Sequence, residues 1–324
     1  MRWIKDNRVT ALGLGALLVV TIVLVVLALR PVQAPSSTGP AYTPPPSASP
    51  DSVATEDEPS EDPRTAEPTQ DETDAPEEPI EPVPTTRLLT AASSERAWRA
   101  MVGDCDDLSA LEVTGDGGDT WEFVDAGLTP IVRVKALDEN TMFAIGGAAE
   151  CAASLRITAS AGADWEESNE ELGGSWYLEP GDRNVVHGPA DAAEPCSGDV
   201  VDLAGLSGSA AAVVCTDGDV LETGDAGDSW SSVGNLPGAV AIAPQLDGAA
   251  DFQGYLLASI DPDCEGVAIR SVGPEGAGLD DSPAGCAEVG EVAAGDVAVA
   301  LSGDVAWLWA ADDVLVSDDA GATW

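Results

Sequence analysis

The chain has one histidine, His187, and no Cys-x-x-Cys pair. A zinc site needs clustered Cys and His ligands, so no metal is assigned, and no other cofactor either. Basic residues are scarce: 13 Lys and Arg stand against 58 Asp and Glu, a formal net charge of −45 at pH 7. That charge repels phosphate backbones and acidic headgroups, which argues against nucleic acid or an anionic membrane surface as partner. It favours solubility, cation-rich surroundings or a basic partner. No serine or cysteine nucleophile signature accompanies His187, so a structural or exposed role is expected for it. No catalytic residue is assigned.

What the sequence does have is one short pattern in four copies: small hydroxyl, any, Asp, any, Gly, any, small polar, Trp. The key positions are Thr114, Asp116, Gly118 and Trp121 in the first copy, and Thr158, Ser160, Gly162 and Trp165 in the second. The others carry Thr223, Asp225, Gly227 and Trp230, then Ser317, Asp319, Gly321 and Trp324. Folding chemistry accounts for each residue type. An Asp side chain accepts backbone N–H bonds and closes a turn. Gly supplies a left-handed backbone. Trp covers the loop with an apolar plate whose indole N–H can reach a carbonyl. Ser160 replaces Asp in the second copy and makes a poorer turn. Asp116-Gly117-Gly118-Asp119 lacks the ligand number and terminal Glu of an EF-hand calcium loop. A worn fifth copy is read at Ser271–Leu279, with Leu279 in the place of Trp.

A turn repeated at roughly 45 residues indicates a β-propeller built blade by blade. The pattern resembles the Asp-box, or BNR repeat, of the sialidase and sortilin-like superfamily, also found in plant-cell-wall glycosidases and bacterial propellers. The resemblance covers residues 86–324 and implies the fold, not an activity. The expectation is all-β, about five blades, or six if an insertion at 175–190 is a partial blade. That insertion carries Ser175-Trp176-Tyr177 and a turn at Pro180-Gly181-Asp182; Trp176 and Tyr177 are the candidate ligand contacts, with buried packing as the alternative. The fifth blade is expected to use Glu288–Ala294, Val297–Ser302, Ala306–Ala310 and Val314–Ser317. The sequence stops at Trp324 before another strand, so closure is expected to borrow an edge strand from Pro79–Pro84, where proline permits only an outer position.

The N-terminal part differs in composition. Residues 1–9 form a short basic tail, expected to be cytoplasmic. Residues 10–30 include about twenty uncharged apolar residues, the length of one transmembrane helix. A cleaved signal peptide competes with this reading, but its apolar stretch is normally shorter, and Val32-Gln33-Ala34 is followed by Pro35. The basic residues before the helix place the chain beyond Arg30 outside the cell membrane. Residues 31–86, rich in Pro, Ser, Thr and acid, are expected to be a disordered stalk. The propeller fills 87–324. Low Lys with abundant Ala, Gly, Val and Asp resembles proteins of high-GC actinobacteria.

All six cysteines fall in the expected external domain, which favours disulfides. The sequential pairing Cys105–Cys151, Cys196–Cys215 and Cys264–Cys286 is expected, because the first two occupy equivalent places in adjacent blades and the others would bridge neighbouring strands. The functional expectation is a membrane-anchored binding or scaffold module for a protein or glycan ligand. The alternative is a glycoside hydrolase of an Asp-box family. Sialidases of that type also need an arginine triad, a Tyr–Glu pair and an Arg-Ile-Pro-type motif, and the motif is missing here. A third reading, an assembly factor like the Asp-box propellers of photosystem II, meets the difficulty that those use a basic patch.

Overall fold

The computed structural model describes residues 81–106, 109–246, 252–279 and 281–324. The expected tail, transmembrane helix and nearly all of the linker lie outside the described residues. Among the described residues no helix is long and apolar enough to cross a membrane.

Six antiparallel sheets follow one another along the chain. The first holds β1 (Arg87–Ala91), β2 (Ala97–Met101), β3 (Leu111–Thr114) and β4 (Glu122–Val124). The second holds β5 (Ile131–Ala136), β6 (Met142–Gly147), β7 (Ala153–Thr158) and β8 (Glu166–Glu167). The third has three strands, β9 (Tyr177–Glu179), β10 (Asp182–His187) and β11 (Ala192–Ala193). The fourth holds β12 (Val200–Gly205), β13 (Ala211–Cys215), β14 (Asp219–Thr223) and β15 (Ser231–Asn235). The fifth holds β16 (Ala239–Leu246), β17 (Phe252–Ser259), β18 (Val267–Val272) and β19 (Gly285–Ala287). The sixth holds β20 (Val297–Ser302), β21 (Val305–Ala310) and β22 (Asp313–Ser317). Within each sheet the strands pair in chain order. The first strands β1, β5, β9, β12, β16 and β20 pack side by side in a closed ring around a channel. The fold is a six-bladed β-propeller.

The count corrects the expectation of five. Residues 175–193 make a blade of their own, short but inside the ring. Its hairpin turns at Pro180-Gly181, pairing Asp182 with Glu179, and Gly181 takes φ 82°. A second correction concerns the last blade. Glu288–Ala294 is not a strand, and Val297–Ser302 is the innermost strand of its sheet. Val289, Val292 and Ala294 are buried, but as an irregular loop packed between the fifth and sixth sheets. Their apolar spacing imitates a strand without the two-residue period one requires.

The core lies between sheets. Apolar clusters join the first blade to the second, the second and third to the fourth, the fourth to the fifth, the fifth to the sixth, and the sixth back to the first. Trp98 and Trp307 are fully buried. Three disulfides add covalent ties: Cys105–Cys151 between the first and second blades, Cys196–Cys215 ahead of and within the fourth, and Cys264–Cys286 within the fifth, with Cα separations of 5.5, 5.6 and 5.8 Å.

Among the described residues, closure does not use the expected borrowed strand. The sixth sheet ends at β22 with three strands among the described residues. Residues 81–84, the described part of the expected donor region, form no strand, and Thr85 and Thr86 just after them bridge β12 and the sixth blade at one end of the channel. The Thr85 N–H donates to Val201 O of the fourth blade at 3.1 Å. The Thr85 hydroxyl donates to Val297 O of the sixth blade at 3.0 Å, and the Thr86 N–H to Gly295 O at 2.8 Å. The first and sixth blades are clasped by side chains. The Trp307 indole donates to Ser93 O at 2.9 Å, the Ser302 hydroxyl to Ala92 O at 2.7 Å, and the Arg87 guanidinium to Ala311 O. Arg87 also pairs with Asp296 at 3.5 Å. The chain thus enters the ring at a floor, and the opposite end is the mouth.

Candidate functional site

The repeat loops follow the third strand of their blades, leading into a fourth in the first, second and fourth blades, and are consumed by folding. In the first, both carboxylate oxygens of Asp116 are engaged. Oδ1 accepts the Thr114 hydroxyl at 2.8 Å and the Thr120 N–H at 2.9 Å, and Oδ2 accepts the Thr120 hydroxyl at 2.6 Å. The Gly118 N–H donates to Thr114 Oγ1 at 3.1 Å. Asp225 and Asp319 repeat this set with Ser229 and Thr323. These bonds favour the charged carboxylate. Asp225 is held down to about 2, chiefly by the Ser229 hydroxyl, and Asp319 to about 2, first by the Ser317 and then by the Thr323 hydroxyl. Ser160 keeps a reduced version, accepting the Asp164 N–H at 2.9 Å.

Each loop turns on two successive left-handed residues: Gly117-Gly118, Ala161-Gly162, Ala226-Gly227 and Ala320-Gly321. The worn copy does the same with Glu275 and Gly276, and Leu279 is buried where the others have Trp. A left-handed Ala is strained. Its N–H is repaid by the first hairpin of its own blade: Ala161 to Asn140 O at 2.8 Å, Ala226 to Ser209 O at 2.8 Å, Ala320 to Asp304 O at 2.7 Å. A Cβ on Gly162 would meet Val124 of the preceding blade at 2.8 Å. The Trp that ends each loop likewise packs on the blade before it. Trp121 meets Trp307 edge-on at 6.5 Å, and Trp230 meets Trp176 edge-on at 6.0 Å. The indoles of Trp121 and Trp165 donate to Gly118 O and Gly162 O at 3.1 and 3.0 Å. Those of Trp230 and Trp324 are buried with no such partner among the described residues.

The residues singled out for ligand contact sit in packing. Trp176 is 3% exposed and donates to Ser207 O at 2.7 Å; Tyr177 is 7% exposed. Both join the third blade to its neighbours, and Trp176 also borders a side cavity over that blade. Tyr177 stacks on His187 at 4.6 Å, and His187 Nε2 lies 2.5 Å from Glu179 Oε2, so the histidine is engaged within its own blade.

The concave feature is the channel, a cavity of about 510 Å³ lined by the first strands and open toward Leu137, Asp138 and Gly303. Its walls are mostly Ala, Val, Leu and Ile, as close approach of six strands requires. Charge is confined to a few positions: Arg87 on β1, Arg133 and Lys135 on β5 with Asp138 just beyond it, Arg183 on β10, and Asp202 on β12. Asp202 is buried, which raises its pKa; its oxygens accept the Leu203 N–H at 2.8 Å and the Ile242 N–H at 2.9 Å. Arg183 donates through Nε and Nη2 to Val200 O at 3.3 Å and Val201 O at 2.7 Å, and its Nη1 is buried with no partner among the described residues. Arg133 donates to Trp176 O at 2.7 Å, and burial lowers its pKa to about 10 despite the attraction of Asp202. Lys135 is driven down to about 8, first by burial and then by the charge of Arg133.

The third blade is too short to wall the channel fully. Above it opens a side notch of about 240 Å³, lined by Arg133, Lys135, Leu137, Phe143, Gly174, Ser175, Trp176, Gly205, Ser207 and Gly208. Gly205 makes room for Arg133: a Cβ there would lie 2.5 Å from the guanidinium. Of this lining only Trp176, within the 175–190 insertion, was singled out from the sequence; Arg133 and Lys135 were not. The available signal was Arg133-x-Lys135 on an apolar strand, with Lys135 the only lysine after Lys5.

No protein-family model matches the chain. No curated protein matches it. Among solved structures it is similar to YCF48 bound to D1 peptide, at 16% identity over 75% of this chain and 82% of that one, TM-score 0.36. It is similar to the Aleuria aurantia lectin in complex with Fucα1-6GlcNAc, at 11% identity over 75% and 98%, TM-score 0.43. It is also similar to the GH74 xyloglucanase from Xanthomonas campestris, at 16% identity over 74% of this chain and 37% of that one, TM-score 0.28.

Proposed function

We propose that the chain is a membrane-anchored, extracytoplasmic Asp-box propeller that binds a protein or glycan ligand as a recognition or scaffold module. In this reading residues 1–9 are cytoplasmic, 10–30 span the membrane, 31–86 form the stalk and 87–324 the binding domain. The observation that carries it is the polarity of the ring. Thr85 and Thr86 bridge the fourth and sixth blades at the channel floor, leaving the mouth and its hairpin loops free for a ligand. Three disulfides fit an oxidising compartment. Glycosidic cleavage by the usual route needs two carboxylates across the bond. Of the two acids lining the channel, Asp202 is bound to backbone N–H groups of β12 and β16, and Asp138 Oδ1 accepts the N–H groups of Asn140 and Thr141 at 2.8 Å.

Photo-crosslinking of the full chain in its own membrane tests this. A reactive group at Leu137, 54% exposed at the mouth, should capture a protein or glycan adduct. The same group at Met101, 38% exposed and next to the floor, should not. Equal capture at both, or capture at Met101 alone, would contradict the reading.

A further inference from the structure

We infer that the notch above the third blade is a binding site for a small oxyanion, a carboxylate or phosphate group held by Lys135 and Arg133. This rests on reading the domain as a binding module, and it supplies the ligand chemistry that reading leaves open.

Four observations carry it. The chain is strongly acidic, yet a large share of the few basic side chains in the described region converges on one cavity. The cations there outnumber the acids that face them. Arg87 is drawn to Asp296, and Asp202 is shared by Arg133 and Arg183. Asp138, at the mouth, has its carboxylate turned to its own loop. The lysine is left over: Lys135 has no hydrogen bond or ion pair among the described residues, and Arg133 uses only Nη1, toward Trp176 O. Buried or half-buried cations are costly unless paired, and here the partner is missing while an open cavity adjoins them. Finally, the notch is built by specific features: a short third blade, Gly205 where a side chain would collide with Arg133, and small residues Gly174, Ser175, Ser207 and Gly208 around the opening.

The two cations differ in role. The Arg133 guanidinium lies across Gly205, anchored by Trp176 O, and offers its remaining N–H groups as a fixed fork. The Lys135 ammonium is a compact charge with three donors. Together they match an oxyanion approached from two sides. The notch and channel together suit a ligand from a single oxyanion up to a small phosphorylated or carboxylated molecule. The same chemistry could arrive as a free small molecule or as an acidic group on a larger partner.

Lys135 also gives the site a pH signature. The charged groups around it are Arg133 on its own strand, Asp138 beyond it, Arg87 on β1, Arg183 on β10 and Asp202 on β12; β16 and β20 present none to the channel. With its pKa near 8 in the empty cavity, Lys135 is charged at lower pH and attracts the anion. A bound anion raises that pKa, so affinity falls as pH rises above about 8 and into the ordinary lysine range.

The test is calorimetric titration of the full chain, in mild detergent, with sodium sulfate, inorganic phosphate and succinate. Sulfate serves for the pH series because its charge is constant there. The expected result is one saturable site for at least one probe, weakened about tenfold or more in Lys135→Met. Lys135→Arg should keep the site and move the loss of sulfate binding to higher pH. If Lys135→Met does not fold, the wild-type pH profile and Lys135→Arg decide alone. No saturable binding of any probe, or binding unaffected by Lys135→Met or by pH between 7 and about 10, overturns the inference. Repeating the Leu137 crosslink in Lys135→Arg and Lys135→Met separates sources and readings. Loss of the adduct only in Lys135→Met, with free probes bound by wild type, assigns the oxyanion to the larger partner. An unchanged adduct with free probes bound assigns it to a small molecule. An adduct with no oxyanion binding keeps the binding module and removes this site.

Discussion

At the scale of single residues, the repeat positions work as turn chemistry. Asp116, Asp225 and Asp319 are depressed because each carboxylate accepts hydroxyl and N–H donors in its own loop. A folded-state pKa below the unfolded one stabilises the fold above the unfolded pKa, and that contribution is lost as pH falls through the folded value. Stability should therefore decline between about pH 4 and about pH 2, the window set by the ordinary value of 3.8 and the folded values of about 2. Thermal melting of Asp225→Asn should show a shallower decline over that window than wild type; an identical slope would contradict the assignment. Asp, Gly and Trp were legible in these loops because their roles are local. The left-handed Ala161, Ala226 and Ala320 were not, because what holds them is a carbonyl from another hairpin, supplied by register across the blade. The indoles of Trp230 and Trp324 depart from expectation for a similar reason: packing on the preceding blade fixes them, and no loop carbonyl receives their N–H.

At the scale of elements, most strands of the first, second and fourth blades were readable from β-rich runs between turn signals. The third blade was legible only as an alternative, an insertion turning at Pro180-Gly181-Asp182, because it lacks the repeat loop and its outer strand is only Ala192–Ala193. Closure was also hidden. A borrowed strand is a matter of chain order, whereas the ring closes through Trp307, Ser302 and Arg87 against the first blade. Trp307 is fully buried, packs on Trp121 and bonds Ser93 O. Trp307→Ala should cost roughly 3–5 kcal/mol, the range for truncating a buried large aromatic. Denaturant unfolding with disulfides intact would measure it, and a loss under about 1 kcal/mol would show that closure rests elsewhere.

At the scale of the whole molecule, net charge and fold class were legible, but the distribution of charge was not. A total of −45 describes the mean field and correctly speaks to long-range encounter. It cannot show that Arg133 and Lys135 of the second blade converge with Arg183 of the third, since the three face one cavity only on the axis of a closed ring. That geometry depends on six blades, with 177–193 as a true third blade inside the ring. Hydrogen–deuterium exchange of the full chain tests this most directly, because amides within a ring blade open only with the larger structure. The account predicts that amides of Leu178 and Val186 are protected on the same timescale as those of β13 and β17. Exchange there as fast as in the 3-10 helix at Asn169–Gly174, with β13 and β17 still protected, would make the segment an appended hairpin and contradict the six-bladed ring.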